Sequence, residues 1–308
     1  MKTAIAALVF LAAACASAPA VDPSPVTRHT LRADGSRIEW TMTGRDASAK
    51  QGVLMLSQGS GCGPAATNPN LSRWRALAPG FVSVTVEKYG VLASDPALAT
   101  AGVGQMDNCP AEHVKNHRLY ARAQDFANVV AELRKETWWS GELVIMGGSE
   151  GGAVMSVLAP MLPDVDAVVI MSTGLGLPLS QMILDGMPPP ARAQVEPMFA
   201  AIRSNPDAAP MFSGLSAHYY AEFFDKVLAQ DMLQASAPIL LIQGETDTSA
   251  PVAAGRATRD IFAAAGHGNL TYWEKPGWDH IMTDRAGVNH VEEVITDAAA
   301  WVAEKLAR

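Results

Sequence analysis

The chain has 308 residues, 49% of them apolar, and a formal net charge of -8. That is enough to bury the core of one large α/β domain or two small ones. The acidic balance argues against nucleic acid or an anionic membrane surface as the main partner.

In chain order, Met1-Lys2-Thr3 places one positive charge before the apolar run Ala4 to Ala14. The run is too short to span a bilayer, and small residues follow it. It reads as a secretory signal over residues 1–20, with Ala18-Pro19-Ala20 as a cleavage site. Cys15 follows Leu11-Ala12-Ala13-Ala14, which resembles a bacterial lipoprotein lipobox, although Leu11 stands one place further from the cysteine than the usual pattern has it. Lipidation of Cys15, with a signal of residues 1–14, and simple cleavage are therefore alternatives. Both imply export, to the bacterial periplasm, the outer membrane as an anchored lipoprotein, or the medium. A lipid on Cys15 is the only membrane attachment expected. The mature body then holds Cys62 and Cys109. Export permits a disulfide between them, and two unrelated buried thiols are the alternative.

After a Pro-rich linker, Val26 to Arg32 and Ser36 to Thr43 alternate apolar and polar residues around Asp34-Gly35, which predicts a β-hairpin. Gly52 to Ser57 and Phe81 to Val86 read as strands buried on both faces, with a short helical piece around Trp74 to Leu77 between them. Glu87 to Asn116 holds no period and reads as a long loop. His117 to Glu136 carries a helical stripe at Leu119, Phe126, Val129, Val130 and Leu133. Strands follow at Glu142 to Met146 and Val165 to Met171, with a helix-compatible run from Ala153 to Leu158 between them. Alternating strands and helices imply a mostly parallel, doubly wound α/β sheet. Gly174 to Ala237 interrupts the alternation with Met187-Pro188-Pro189-Pro190 and an aromatic cluster of His218, Tyr219, Tyr220, Phe223 and Phe224. It reads as a helical insertion, and the aromatics either line an apolar pocket or form the insertion's own core. Pro238 to Gln243 and Asn269 to Glu274 are further strands, with helices at Val252 to Ala265 and Val288 to Leu306.

One turn stands out. Gly147-Gly148-Ser149-Glu150-Gly151 contains G-x-S-x-G between a strand and a helix, where a serine on a tight, strained turn leaves no room for a Cβ at the flanking glycines. A serine hydroxyl is a weak nucleophile and needs a base, which needs an orienting carboxylate. Asp247 follows the strand ending at Gln243, with Glu245 as a competing carboxylate. His280, in Pro276-Gly277-Trp278-Asp279-His280, follows the next strand. In a parallel sheet both loops open at the same carboxyl edge as Ser149. His29, His113, His117, His218, His267 and His290 lack that position. A tetrahedral intermediate also needs two backbone N–H donors. One is expected from Glu150 and the other from the loop Gln58-Gly59-Ser60-Gly61-Cys62-Gly63, at Ser60.

Together these motifs resemble the α/β-hydrolases over residues 26–306. The resemblance implies an α/β-hydrolase fold, with Ser149 as nucleophile, Asp247 as orienting acid, His280 as general base and residues 174–237 as a cap. The doubled Gly151-Gly152 is similar to the elbow of prolyl-oligopeptidase-like and acyl-thioesterase-like members, while Gln58 stands where the family often has His. The expectation is a serine hydrolase of carboxylic esters or related acyl compounds, with a small-molecule acyl substrate. Exported peptidase or acyltransferase activity is the enzymatic alternative, and a binding protein on a hydrolase scaffold the non-enzymatic one. No metal-ligand spacing or phosphate loop occurs, so no cofactor or metal is expected.

Overall fold

The computed structural model describes residues 24–96 and 109–307. The signal segment and Cys15 lie outside the described residues. Eight strands form a single sheet: β1 (Val26–Leu31), β2 (Arg37–Thr43), β3 (Gln51–Ser57), β4 (Val82–Val86), β5 (Trp139–Gly148), β6 (Ala167–Met171), β7 (Ile239–Gly244) and β8 (Leu270–Lys275). Their order is β1-β2-β4-β3-β5-β6-β7-β8. The β1–β2 hairpin joins antiparallel to β4, and every later pairing is parallel. This is the mostly parallel α/β-hydrolase sheet that the motifs implied.

Strand side chains alternate between the sheet's two faces, so the strands that read as unbroken apolar runs feed two cores at once. Val53, Met55, Leu143, Ile145, Val168 and Ile170 pack against α3 (Leu119–Leu133) and α4 (Glu150–Leu158). Their neighbours Leu54, Leu56, Val144, Met146 and Val169 face α10 (Val291–Leu306) and the segment Leu71 to Ala78. That segment contains most of α1 (Pro69–Arg73) and a short 3-10 turn (Trp74–Leu77). Asn68 caps α1 by accepting from the Asn70 and Leu71 N–H groups, with Pro69 at the first helical position. α9 (Val252–Ala264) covers β7 and β8 on the α4 side, where Phe262 is buried.

Three local expectations change. The segment 87–116 contains a short helix, α2 (Ala111–Asn116), too brief and too polar to show a period. The helix after Ser149 begins at Glu150, ahead of the apolar run, because the turn leads directly into it. The last helix begins at Val291 and not at Val288. Asp284 accepts from the N–H groups of Ala286 and Val288, which holds that stretch in a turn.

Between β6 and β7 lie α5 (Leu179–Asp185), α6 (Pro189–Ser204), α7 (Ala217–Phe223) and α8 (Leu228–Met232). Their aromatic core is Phe199 against Phe212 and Phe224, with Tyr220 against Phe212. Tyr219, Tyr220 and Phe223 also line a cavity above the sheet, while Phe224 is only core. The cluster thus serves both of the roles open to it. Among the described residues no helix is long and apolar enough to cross a membrane.

Candidate active site

Ser149 sits between β5 and α4 with φ 54° and ψ -128°, a region that costs a non-glycine residue about 1–3 kcal/mol. Packing holds it there. Its N–H donates to the Met171 carbonyl at 2.9 Å, and its carbonyl accepts from Thr173 Oγ1 at 2.9 Å. A Cβ at Gly147 would lie 2.2 Å from the Gly151 carbonyl oxygen, and one at Gly151 would lie 2.3 Å from that of Ser57. The second glycine of the pair, Gly152, clears Thr173 Oγ1, which a Cβ would approach to 2.1 Å. The glycines are therefore required by close packing around the turn.

Asp247 and His280 meet. The carboxylate of Asp247 is fully buried, and its Oδ2 lies 2.8 Å from His280 Nδ1. Asp247 also accepts from the N–H groups of Ser249 and Ala250, both at 2.8 Å, and from Gln243 Nε2 at 2.9 Å. Four donors thus fix its direction. The competing carboxylate, Glu245, accepts instead from the Gly277 N–H at 2.7 Å. The two loops interlock, since Thr246 N–H donates to the Trp278 carbonyl and Ser172 Oγ donates to the His280 carbonyl. His280 is 21% exposed and lines the same cavity as Ser149, Ser60 and Glu150. Two of the other histidines are engaged elsewhere: His290 stacks on Trp278 and bonds Asp284, and His218 bonds Asp207.

Cys62 and Cys109 form a disulfide with Cα atoms 5.5 Å apart. It fastens the loop after β3 to the start of α2. A second fastening comes from Glu87, whose carboxylate accepts from the Ala65 and Ala66 N–H groups at 2.6 and 2.9 Å.

The Glu150 side chain has a role that its place in the motif does not announce. Its Oε1 pairs with Lys88 Nζ at 2.8 Å and His117 Nε2 at 3.1 Å, with Arg122 at 3.9 Å, and its Oε2 accepts from Tyr219 at 3.1 Å. Burial alone would raise the Glu150 carboxyl, but His117 and Arg122 more than offset this and hold it below its ordinary value. Burial, helped by Glu150, pushes the Tyr219 hydroxyl well up, so it stays a donor. His113 lies against His117 with the rings tilted, and it is held down to about 4, chiefly by burial and then by His117. Among the described residues no group of three or more His, Cys, Asp or Glu could hold a metal ion.

Comparison with curated proteins finds no match to the chain. Solved structures share its fold. With ferulic acid bound, Est1E from Butyrivibrio proteoclasticus is 16% identical, covering 91% of this chain and 100% of that one with a TM-score of 0.61. The α/β hydrolase GrgF from Penicillium sp. sh18 is 14% identical, covering 92% and 100% with a TM-score of 0.62. A puromycin-hydrolyzing peptidase of Mycobacterium tuberculosis is 15% identical with a TM-score of 0.63, and the match covers 94% of this chain but 40% of that one. In sequence, the model of the prolyl oligopeptidase family matches residues 110–308, more than half of the chain. The chain belongs to the prolyl oligopeptidase family, a family of serine hydrolases on the α/β-hydrolase fold.

Proposed function

We propose that the protein is an exported serine esterase for carboxylic esters with an apolar acyl group. The observation that carries this reading is a cavity of about 480 Å³ with Ser149 and His280 in its wall and Leu179, Met182, Ile183, Leu215, Tyr220 and Phe223 around it. Apolar walls with a few convergent polar groups suit an acyl chain.

Ser149 Oγ attacks the ester carbonyl while His280 Nε2 takes its proton. The N–H groups of Ser60 and Glu150 stabilise the oxyanion. Collapse expels the alcohol, which leaves with the proton from His280, and a water activated by His280 then hydrolyses the acyl-enzyme. Asp247, bonded to Nδ1, leaves Nε2 free to act as the base.

Glu150 argues against an aminopeptidase. The carboxylate of this cavity-lining residue is already bonded to Lys88, His117 and Tyr219, and so is not free to take a peptide's terminal ammonium. The signal over residues 1–20, with Cys15 as an alternative lipid site, belongs to the same proposal. The Cys62–Cys109 bridge supports it, since disulfides persist in oxidising compartments.

The test is a turnover profile over p-nitrophenyl esters of increasing chain length beside aminoacyl anilides. Ester turnover should rise with chain length until the cavity is filled and then fall. Faster turnover of the anilides would make the protein a peptidase.

A further inference from the structure

We propose that Lys88 is a positioning residue that aims the oxyanion-binding N–H of Ser60 by holding the other side of the same peptide. This rests on the serine-hydrolase reading of the site. Lys88 follows β4, the oxyanion loop follows β3, and Glu150 follows β5; β3 lies between the other two, and all three run parallel. A lysine leaving β4 at this edge therefore reaches across the intervening loop to the elbow. Its Nζ donates to the Gly59 carbonyl at 2.9 Å and to Glu150 Oε1 at 2.8 Å, and its side chain is 0% exposed.

A peptide's C=O and N–H are rigidly coupled and, in the trans form, point in opposite directions. The described chain has no cis peptide bond. Pulling the Gly59 carbonyl inward with a buried cation therefore turns the Ser60 N–H outward, toward the cavity that Ser60 lines with Ser149. The same contact polarises the peptide and makes that N–H a stronger donor. The preceding peptide is held in parallel fashion, with Arg122 donating to the Gln58 carbonyl at 3.3 Å. Gly59 itself packs against the nucleophile, since a Cβ there would lie 3.3 Å from Ser149 Cβ.

Glu150 completes the device. Its backbone N–H is the second proposed oxyanion donor, and its carboxylate anchors the cation that aims the first. The two donors are thus coupled through one ion pair, and neither depends on loop stiffness alone. Preorganised donors of this kind act on the charge that develops in the transition state and little on bound substrate.

The experiment compares wild type, K88M and K88Q after their folding has been checked by thermal unfolding. It measures kcat and KM on the preferred p-nitrophenyl ester and inhibition by a trifluoromethyl ketone, whose adduct with Ser149 carries an oxyanion. K88M should lose about 10²-fold in kcat with KM nearly unchanged, and ketone affinity should fall by a similar factor. K88Q keeps a donor without the charge and should fall between K88M and wild type. If K88M does not fold, K88Q decides by the same criteria.

Wild-type kcat and ketone affinity in the folded variants would overturn the proposal. So would a loss that appears equally in KM, because that is general damage to binding. A wild-type protein that fluorophosphonate fails to label at Ser149 would overturn the site itself. Normal labelling with an indifferent Lys88 would overturn only the positioning role.

Discussion

Replacing Asp247 by Asn changes no heavy-atom count and removes one charge, yet the surroundings of Asp247 leave the amide no neutral accommodation. Oδ1 accepts from two backbone N–H groups, those of Ser249 and Ala250, which fix an oxygen at that position. The Asn NH2 must then take the place of Oδ2, facing Gln243 Nε2 and His280 Nδ1. Donor meets donor at Gln243, with a stability loss of about 1–3 kcal/mol for the lost bond. At His280 the NH2 donates to Nδ1, so the ring proton moves to Nε2 and that nitrogen can no longer act as a base. An imidazole held in the wrong tautomer costs about 10⁴-fold in kcat, equivalent to ~5.4 kcal/mol in the barrier. The assay is steady-state ester hydrolysis, with thermal unfolding to confirm that Asp247→Asn is folded at the assay temperature. A folded variant with kcat within about tenfold of wild type would show that Asp247 does not orient His280.

Ser149→Ala should reduce ester turnover by several orders of magnitude and abolish fluorophosphonate labelling, read by mass spectrometry. Gly151→Ala forces a methyl against the Ser57 carbonyl, a contact of 2.3 Å before relaxation, and should lower stability by about 1–3 kcal/mol by denaturant unfolding while disturbing Ser149. Cys62→Ser with Cys109→Ser opens a crosslink spanning a separation of 47 residues, and chain entropy alone then predicts a loss of about 4 kcal/mol in the same measurement. His113 is held at about 4 in the folded state against an ordinary 6.5, so the unfolded chain binds its proton first as pH falls. That opposes folding by at most about 3 kcal/mol between pH 6.5 and 4, and His113→Phe should remove this part of the acid sensitivity in pH-resolved unfolding curves.

The turn at Ser149, the acid at Asp247 and the histidine at His280 were legible because each follows a strand that announces itself by apolar content, and a parallel sheet brings such loops to one edge. The charge buried behind them has no such announcement in the sequence. Lys88, the pair His117 and Arg122, and Tyr219 come from three separate stretches of the chain, and their meeting point is the side chain of Glu150, a residue expected to contribute through its backbone. A signal existed: Arg122 falls three residues after Leu119 and four before Phe126, on the apolar stripe of α3, where a guanidinium needs a buried partner. His117 lacks the carboxyl-edge position of His280, and nothing in its spacing points to its partner Glu150. The short α2 escaped because six mostly polar residues carry no period.

The hydrogen bond from Tyr219 to Glu150 makes α7 more than a roof. Tyr219 also stacks on His117, with ring centroids 5.0 Å apart. Any outward swing of α7 must break a bond to a charged, buried carboxylate, which costs about 1.5–3 kcal/mol and weights the closed arrangement roughly ten- to a hundredfold. The insertion is thus latched to the elbow from within, through the side chain of the residue that follows Ser149.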